Sequence, residues 1–461
     1  MLPGPCFSEL NLQAELLKSL HSLGYTAMTP IQAQSLPSIL AGRDLIAQGQ
    51  TGSGKTAAFA LGLLNKLDVK RFRVQGLVLC PTRELADQVA KEIRKLARSI
   101  PNIKVLSLCG GAPLGPQIGS LEHGAHIIVG TPGRIEEHLR KGTLKTAHLT
   151  TLVLDEADRM LDMGFQASLD AIIEKLPERR QTLLLSATYP DTIESIADRI
   201  LIDPAMVRVA SSHDSSSIDE HFYQLRRDQS RDDALCLLLL HFRPQAALVF
   251  CNTKQETREV ASMLVQRGFN ALALHGDLEQ RERDQTLVQF TNNSTSILVA
   301  TDVAARGLDI DALDLVVNYR IARNSDLHVH RIGRTGRAGA SGIACTLYDE
   351  GEIYKLQQHQ QSGVGATPDE ALPPLSLLQQ PAFSAPMSSL QINGGRKQKI
   401  RPGDILGALT GDAGIDGKQV GKIDLFDNVS YVAVKRSVLA DALGKLQHGK
   451  LKGRSFKVRV L

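Results

Sequence analysis

Three glycines within six positions, set between an apolar run and a helix-forming run, leave a chain few ways to fold. They are Gly49, Gly52 and Gly54 of the stretch Gly49-Gln50-Thr51-Gly52-Ser53-Gly54-Lys55-Thr56. Asp44-Leu45-Ile46-Ala47-Gln48 before it reads as a short strand, and Ala57 to Leu67 after it as a helix. Strand, glycine loop and helix in that order make a phosphate cradle. Backbone N–H groups curl around phosphate oxygens, the Lys55 ammonium reaches the terminal phosphates, and the Thr56 hydroxyl completes a Mg²⁺ shell. The pattern predicts a nucleotide-binding α/β lobe.

A second stretch supplies acids. The apolar run Leu152-Val153-Leu154 ends in Asp155-Glu156-Ala157-Asp158. This reads as a buried parallel strand delivering carboxylates to its carboxyl edge, where open α/β sheets bind ligands. Asp155 suits Mg²⁺, through water because that ion dehydrates reluctantly, and Glu156 suits taking a proton from an attacking water. Alone, the tetrapeptide reads equally well as an acidic helix N-terminus complementing the helix dipole. The glycine loop upstream decides for the metal-phosphate reading.

With 461 residues the chain exceeds one ordinary domain and divides into about three units of ~150 residues. No apolar run approaches the ~20 residues that span a bilayer; the longest, Ala234 to Leu240, predicts part of a buried helix. Met1 to Glu9 lacks a basic segment followed by an apolar one, which predicts no secretory signal. Cys6, Cys80, Cys109, Cys236, Cys251 and Cys345 form no CxxC pair, which argues against a zinc site or disulfide framework and for a reducing cytoplasm. Net charge is +4 but unevenly placed: from Gln391 onward there are 14 Lys and Arg against 6 Asp, whereas the rest carries 39 against 43 acids. The basic tail predicts a polyanion partner, nucleic acid above all.

Further motifs follow the loop and the acids. Phe7 offers an aromatic to stack on a base, and Gln32, closing Gly24-Tyr25-Thr26-Ala27-Met28-Thr29-Pro30-Ile31-Gln32, an amide to pair with its edge. Pro81-Thr82-Arg83-Glu84-Leu85-Ala86 reads as a strand end with an arginine, Gly110-Gly111 as a turn, and Thr131-Pro132-Gly133-Arg134 as an opening into a helix. Amides, hydroxyls and guanidiniums so placed suit phosphate and sugar contacts that do not read bases. Ser186-Ala187-Thr188 follows the strand Thr182 to Leu185, its hydroxyls available to Asp158 or to a helix cap. The Ser-rich stretch 211–217 breaks all periodicity and reads as a hinge. Strands and helices then alternate again: Ala247 to Phe250, Gln255 to Arg267, Ser296 to Ala300.

In this order the motifs resemble the DEAD-box RNA helicases, from about Phe7 to about Gly339. The resemblance implies an α/β fold of two RecA-like parallel-sheet lobes, residues 1–210 and 218–356, around the hinge 211–217, with ATP and Mg²⁺ as cofactors. It implies that Phe7 and Gln32 select adenine, that Gly49, Gln50, Thr51, Gly52, Ser53, Gly54, Lys55 and Thr56 hold the phosphates, and that Asp309 touches the ribose. Thr56 and Asp155 would hold the metal; Asp155, Glu156, Lys55, Arg334 and Arg337 would form the catalytic set. Arg334 and Arg337, in His330-Arg331-Ile332-Gly333-Arg334-Thr335-Gly336-Arg337, would reach the γ-phosphate from the second lobe. Fixed guanidiniums stabilise charge on the transferring phosphoryl oxygens, worth about 10³ or more in rate.

By the same resemblance, Asp158, Ser186, Thr188 and His330 couple nucleotide state to RNA binding. RNA contacts fall to Pro81, Thr82, Arg83, Gly110, Gly111, Thr131, Pro132, Gly133 and Arg134 in the first lobe. In the second they fall to Asn252, Thr253, His275, Gly276, Gln280, Arg283 and Thr301. Arg320, after Val317-Asn318-Tyr319, stands where the family commonly has an acid, which puts any lobe contact made by that acid in question. ATP and single-stranded RNA together would close the lobes and locally separate a short duplex, and hydrolysis would reopen them. Two other readings share these motifs: an ATP-gated RNA clamp or scaffold with incidental unwinding, and a nonspecific RNA- or DNA-stimulated ATPase.

Residues 357–389 turn Gln-, Ser- and Pro-rich, which predicts a linker or mobile tether. Residues 390–461 read as β-α-β-β-α-β, an RNA-recognition-motif-like α+β domain. Its third strand offers Tyr431 alone for stacking, so binding is expected mainly through charge and shape, with Lys397, Lys399 and Arg401 meeting phosphates near a helix N-terminus. A helicase core with this tail resembles one subgroup, the bacterial DbpA proteins, most closely in Arg401-Pro402-Gly403-Asp404-Ile405-Leu406-Gly407-Ala408-Leu409-Thr410-Gly411 and in Leu278-Glu279-Gln280-Arg281. That resemblance implies anchoring on hairpin 92 of 23S rRNA and a role on pre-50S particles in large-subunit assembly.

Overall fold

Strands only four residues long, such as Gly76–Leu79, Ile127–Gly130 and Thr151–Leu154, are buried along their whole length. Uninterrupted apolar strands of this kind belong in parallel sheets covered by helices on both faces. The computed structural model describes residues 5–49, 52–189, 191–209, 218–305, 313–336, 342–361, 370–411 and 414–461. Gln50, Thr51, Asp309, Arg337 and the hinge 211–217 lie outside the described residues.

The first lobe is a seven-stranded parallel sheet: β1 (Leu45–Gln48), β2 (Gly76–Leu79), β3 (Val105–Leu108), β4 (Ile127–Gly130), β5 (Thr151–Leu154), β6 (Gln181–Ser186) and β7 (Ala205–Arg208), in the order β3-β4-β2-β5-β6-β1-β7. Alternation sends Val78, Val153, Leu183 and Leu185 to one core, and Leu77, Leu79, Leu152, Leu154 and Leu184 to the other. The order places β5, β6 and β1 side by side. Their carboxyl ends carry the acids, Ser186-Ala187-Thr188 and the glycine loop.

The second lobe repeats the plan with six parallel strands: β8 (Ile218–Leu225), β9 (Ala247–Cys251), β10 (Ala271–Leu274), β11 (Ile297–Thr301), β12 (Leu315–Asn318) and β13 (Gly342–Asp349), in the order β10-β11-β9-β12-β13-β8. The leucine-rich run Ala234 to Leu240 lies in the buried helix Arg231–Phe242. No helix among the described residues is long and apolar enough to cross a membrane.

The stretch expected to form a mobile tether is largely structured. A helix runs from Ile353 to Gln361, and β14 starts at Met387. Between them Leu372, Leu377, Leu378, Ala382 and Phe383 pack on the second lobe's core. The Phe383 ring meets Phe269 edge-on at 5.7 Å and lies under the Arg243 guanidinium at 5.8 Å. Composition hid this because a few apolar anchors suffice to seat a Pro-rich strap.

The tail folds as β14 (Met387–Ile392), helix Pro402–Thr410, β15 (Val420–Leu425), β16 (Ser430–Lys435), helix Leu439–His448 and β17 (Val458–Val460). Its antiparallel sheet has the order β15-β16-β14-β17. One face sends Leu390, Ile392, Val432 and Val434 into the core under the helices. The other carries Ser389, Gln391 and Tyr431, each only 1% exposed. This face docks on the second lobe. Asn292 Nδ2 donates to Ser389 Oγ at 2.7 Å, the Ser294 and Ser389 hydroxyls meet at 2.9 Å, and Met387 N donates to Asn293 O at 3.2 Å. Tyr431 is therefore closed to the base stacking considered for it, because the second lobe already occupies that side of the sheet.

Candidate nucleotide and RNA sites

The phosphate loop is held open by conformations only glycine adopts freely. Gly52 and Gly54 have φ of +85° and +98°. A Cβ on Gly54 would stand 2.5 Å from Gln32 Nε2 and 2.8 Å from Thr29 Oγ1. That close approach lets Gln32 bridge two elements: its Oε1 accepts from Thr29 N at 2.9 Å, and its Nε2 donates to Gly54 O at 3.1 Å. Phe7 is buried nearby against the edge of Tyr25, with ring centroids 6.3 Å apart. Lys55 begins the helix Lys55–Lys66 and donates to Gly49 O. Burial pulls its ammonium below the usual lysine range, opposed by Asp155 and Glu156.

β5 runs directly into the acids. Asp155 N donates to Leu79 O at 3.0 Å, which fixes the strand end. Burial, and then the neighbouring Glu156, push the Asp155 carboxyl up to about 7. Glu156 sits in the left-handed region with φ 53° and ψ 52°, a conformation costing a non-glycine residue about 1–3 kcal/mol. Its buried Oε2 lies 3.3 Å from Arg159 Nε yet has no hydrogen-bond partner. A buried carboxyl whose ionisation an adjacent cation would favour, a carboxylate oxygen without a hydrogen-bond partner and the Thr56 hydroxyl one residue past Lys55 are a donor set that fits a divalent cation and an attacking water.

Ser186-Ala187-Thr188 ties these parts together. Asp158 Oδ2 accepts from Ala187 N at 3.2 Å, Thr188 N at 3.0 Å and Thr188 Oγ1 at 2.9 Å. Burial raises the Asp158 carboxyl, but the Thr188 hydrogen bonds and Arg159 outweigh it and hold the group below the usual carboxylate range. Ser186 Oγ donates to Thr188 O, and Ser186 O accepts from Gly49 N at 3.0 Å. The acids and the phosphate loop are thus linked through one short turn.

Two matching devices mark the lobes' strand ends. Thr82, with Pro81 before it, caps the helix Arg83–Leu96 by accepting from Leu85 N at 3.2 Å. Thr253 caps Lys254–Gln266 by accepting from Glu256 N at 3.1 Å. The Gly110-Gly111 turn lies under Arg83: a Cβ on Gly111, whose φ is +76°, would stand 1.8 Å from Arg83 Nη1. Gly111→Ala is therefore expected to displace Arg83 and raise the RNA concentration for half-maximal ATPase activity severalfold, with the KM for ATP little changed in steady-state assays. Thr131 and Pro132 open the helix Pro132–Arg140, with a Cβ on Gly133 meeting open space. Arg134 instead braces the turn, its Nη1 donating to Ala112 O at 3.0 Å and Gln117 Oε1 at 2.7 Å.

In the second lobe, His275 Nε2 accepts from Arg258 Nε at 3.1 Å, and the Cβ position of Gly276 faces Lys254. Gln280 donates to Asp284 at 2.9 Å, Arg283 approaches His275 O at 3.5 Å, and Thr301 Oγ1 accepts from Ala304 N at 3.4 Å. Asn252, expected at the RNA, has partners within the lobe. Its Oδ1 accepts from Arg331 Nη2 at 2.8 Å and its Nδ2 donates to Ile321 O at 3.3 Å, so its amide is committed within the lobe. Arg331, to which the sequence assigned no role, is the hub. Only 1% exposed, it pairs with Asp302 at 2.6 Å and donates to Asn318 and to Arg320 O. Nothing in the sequence pattern separates it from its neighbours His330 and Arg334, of which Arg334 is also buried.

In the tail, Lys397, Lys399 and Arg401 are exposed beside the start of helix Pro402–Thr410. That helix N-terminus already has its anion: Arg401 N donates to Asp404 Oδ2 at 2.7 Å, and Lys452 Nζ lies 3.4 Å from the same oxygen. The phosphate position expected against this helix end is filled by Asp404. The side chains around it remain a cationic surface.

The chain matches the DEAD/DEAH box helicase family over residues 29–196, the helicase conserved C-terminal domain over residues 230–339, and the DbpA RNA binding domain over residues 389–460. It is 50% identical to the ATP-dependent RNA helicase DbpA of Escherichia coli K12 over 459 residues, 99% of each chain. The chain belongs to the DEAD-box RNA helicases. The helicase is also 44% identical to the DEAD-box ATP-dependent RNA helicase CshA of Geobacillus kaustophilus over 356 residues, 77% of this chain and 76% of that one. Among solved structures, S. cerevisiae Dbp5 bound to RNA and ADP BeF3 matches with a TM-score of 0.71 and 29% identity, over 80% of this chain and 95% of that one. The helicase is accordingly an RNA-binding enzyme that acts on ATP, built from two RecA-like lobes and a small antiparallel-sheet domain.

Proposed function

We propose that the helicase couples hydrolysis of ATP with Mg²⁺ to local separation of short RNA duplexes, and that its tail carries it to hairpin 92 of 23S rRNA on pre-50S particles in the cytoplasm. The carrying observation is how the tail spends its surfaces. The part of the sheet around Ser389, Gln391 and Tyr431 is covered, with Ser389 held by the second lobe, while Lys397, Lys399, Arg401 and Lys452 gather around the opposite helix start. Such a surface suits the phosphates of a folded RNA, and the Tyr431 ring is buried away from single-stranded bases. The match of residues 389–460 to the DbpA RNA binding domain supports RNA as the tail's partner.

In this reading Phe7 and Gln32 select adenine, Asp309 meets the ribose, and the loop Gly49 to Thr56 with Lys55 holds the phosphates. Asp155 and the Thr56 hydroxyl would hold Mg²⁺, which supplies charge neutralisation at the phosphate oxygens. The open oxygen of Glu156 takes the proton of the attacking water. Arg334 and Arg337 supply the positive charge that the transferring phosphoryl group needs. Thr82, Arg83, the Gly110-Gly111 turn, Thr253 and their neighbours hold the RNA backbone, and Asp158 with Thr188 and His330 passes nucleotide state to them. Contacts to phosphates and 2′-hydroxyls favour RNA over DNA.

The test is ATP hydrolysis at fixed salt with an RNA fragment containing the hairpin and an unrelated RNA of equal length. Both are offered to the full chain and to a full chain carrying Lys397→Glu and Arg401→Glu. Stimulation by the fragment alone is expected, weakened by the substitutions, with the slope of log affinity against log salt reduced by about one per lost phosphate contact. Equal stimulation by both RNAs would reduce the tail to a nonspecific basic anchor.

A further inference from the structure

A closed ring of polar contacts in the second lobe joins the end of β9 to the helix Ser325–Ile332. Arg320 Nε donates to Glu256 Oε1 at 3.0 Å, and Glu256 Oε2 accepts from Asn252 N at 3.1 Å. Asn252 Oδ1 accepts from Arg331 Nη2 at 2.8 Å, and Arg331 Nη1 returns to Arg320 O at 2.8 Å. Arg320 also approaches Asp349 at 3.3 Å and Glu352 at 3.8 Å. Those two acids are already served by Arg231, at 2.8 and 2.7 Å, through a guanidinium only 9% exposed. The contact that depends on Arg320 is therefore Glu256.

Glu256 matters for what its two oxygens do. With one oxygen on Arg320 and the other on Asn252 N, the carboxylate can hold only one orientation. Its own N–H meanwhile occupies Thr253 Oγ1, leaving the Thr253 hydroxyl proton to donate outward. Without Arg320, a carboxylate only 18% exposed would keep a single neutral partner on these oxygens and turn toward water, since a partly buried charge seeks its strongest available partner.

We propose that Arg320 is a positioning residue that sets the Asn252-Thr253 loop through Glu256 and thereby tunes RNA affinity. The proposal rests on the reading that this loop meets the RNA backbone. It gives Arg320 a task within its own lobe, where an acid would face Glu256, Asp349 and Glu352.

The full chain is assayed for ATP hydrolysis stimulated by the RNA fragment containing the hairpin, in parent form and as Arg320→Gln, Arg320→Lys, Glu256→Gln, the Gln/Gln double variant, and Thr253→Ala. Arg320→Gln is expected to raise the half-activating RNA concentration about fivefold or more, and the double variant no further than the worse single, because residues acting through one contact are not additive. The KM for ATP should stay within about twofold, since uniform nucleotide binding is untouched. Arg320→Lys should restore most of the RNA affinity. Unchanged RNA half-activation in Arg320→Gln alongside a rise in Thr253→Ala would overturn the proposal by itself. No change in either would overturn the loop reading beneath it as well. A parallel loss of ATP affinity, RNA affinity and melting temperature that lysine does not rescue would reduce Arg320 to a structural ion pair.

Discussion

Glu156→Gln is expected to lower RNA-stimulated ATP hydrolysis by about 10²–10⁴-fold, the range that a positioned general base contributes, while ATP continues to bind. The amide has the shape of the carboxylate, so the left-handed backbone at φ 53° and the packing against Arg159 survive. What is lost, in the proposed role, is the ability of the carboxylate to take a proton. Single-turnover phosphate release should fall by that factor while binding of a fluorescent ATP analogue changes little. Release of single-stranded RNA in the presence of ATP should slow if, as proposed, hydrolysis precedes release. If nucleotide binding collapsed instead, Glu156 would be acting in the cradle and the proton would have to go elsewhere.

Arg334→Ala is expected to cost about 10³-fold or more in kcat, as removal of an arginine that stabilises transferring phosphoryl charge does in related chemistry. In the proposed role, Arg334 acts from a fixed base. It follows the helix Ser325–Ile332, whose last turn is pinned by Arg331 to Asp302, Asn318 and Asn252. Arg334 is itself buried beside this fixed helix end, and a guanidinium so restrained loses little entropy on binding, the preorganisation from which electrostatic catalysis gains most. Rapid-quench measurement should show kcat falling with the KM for ATP within a few-fold. An equal rise in KM with kcat intact would mean that Arg334 serves ground-state binding.

Strand ends were the most legible part of this molecule. Leu152-Val153-Leu154 had to be buried on both faces, so whatever followed it had to emerge at the sheet's carboxyl edge, and Asp155 does. Ala234 to Leu240 likewise read correctly as a buried helix, because apolarity all round leaves no solvent face. Side chains whose partners come from distant strands were not legible. Asn252 looks like an outward amide until Arg331, 79 positions away, is seen to hold its oxygen. Tyr431 is buried on a sheet face whose Ser389 is held to the second lobe by Asn292 and Ser294, which carry no apolar signature of an interface. The strap from Leu372 to Phe383 was missed for a related reason, since spaced leucines and one phenylalanine dock without any period a sequence window detects.

The docked sheet also bears on how the protein can be taken apart. A chain ended at residue 389 would stop halfway along β14, keeping Ser389 but losing Leu390 to Ile392 and the strand pairs they make with β16 and β17. Asn292 and Ser294 would be left against a strand stump and bare solvent, and a separately expressed tail would carry Gln391 and Tyr431 uncovered. Each fragment would thus present a raw seam that the whole chain never shows. Lost activity in such fragments would mix a missing address with a damaged lobe, and nonspecific adhesion would mix RNA affinity with a surface built for protein. Charge substitutions on the exposed cationic rim leave the seam closed, so they report on RNA recognition alone.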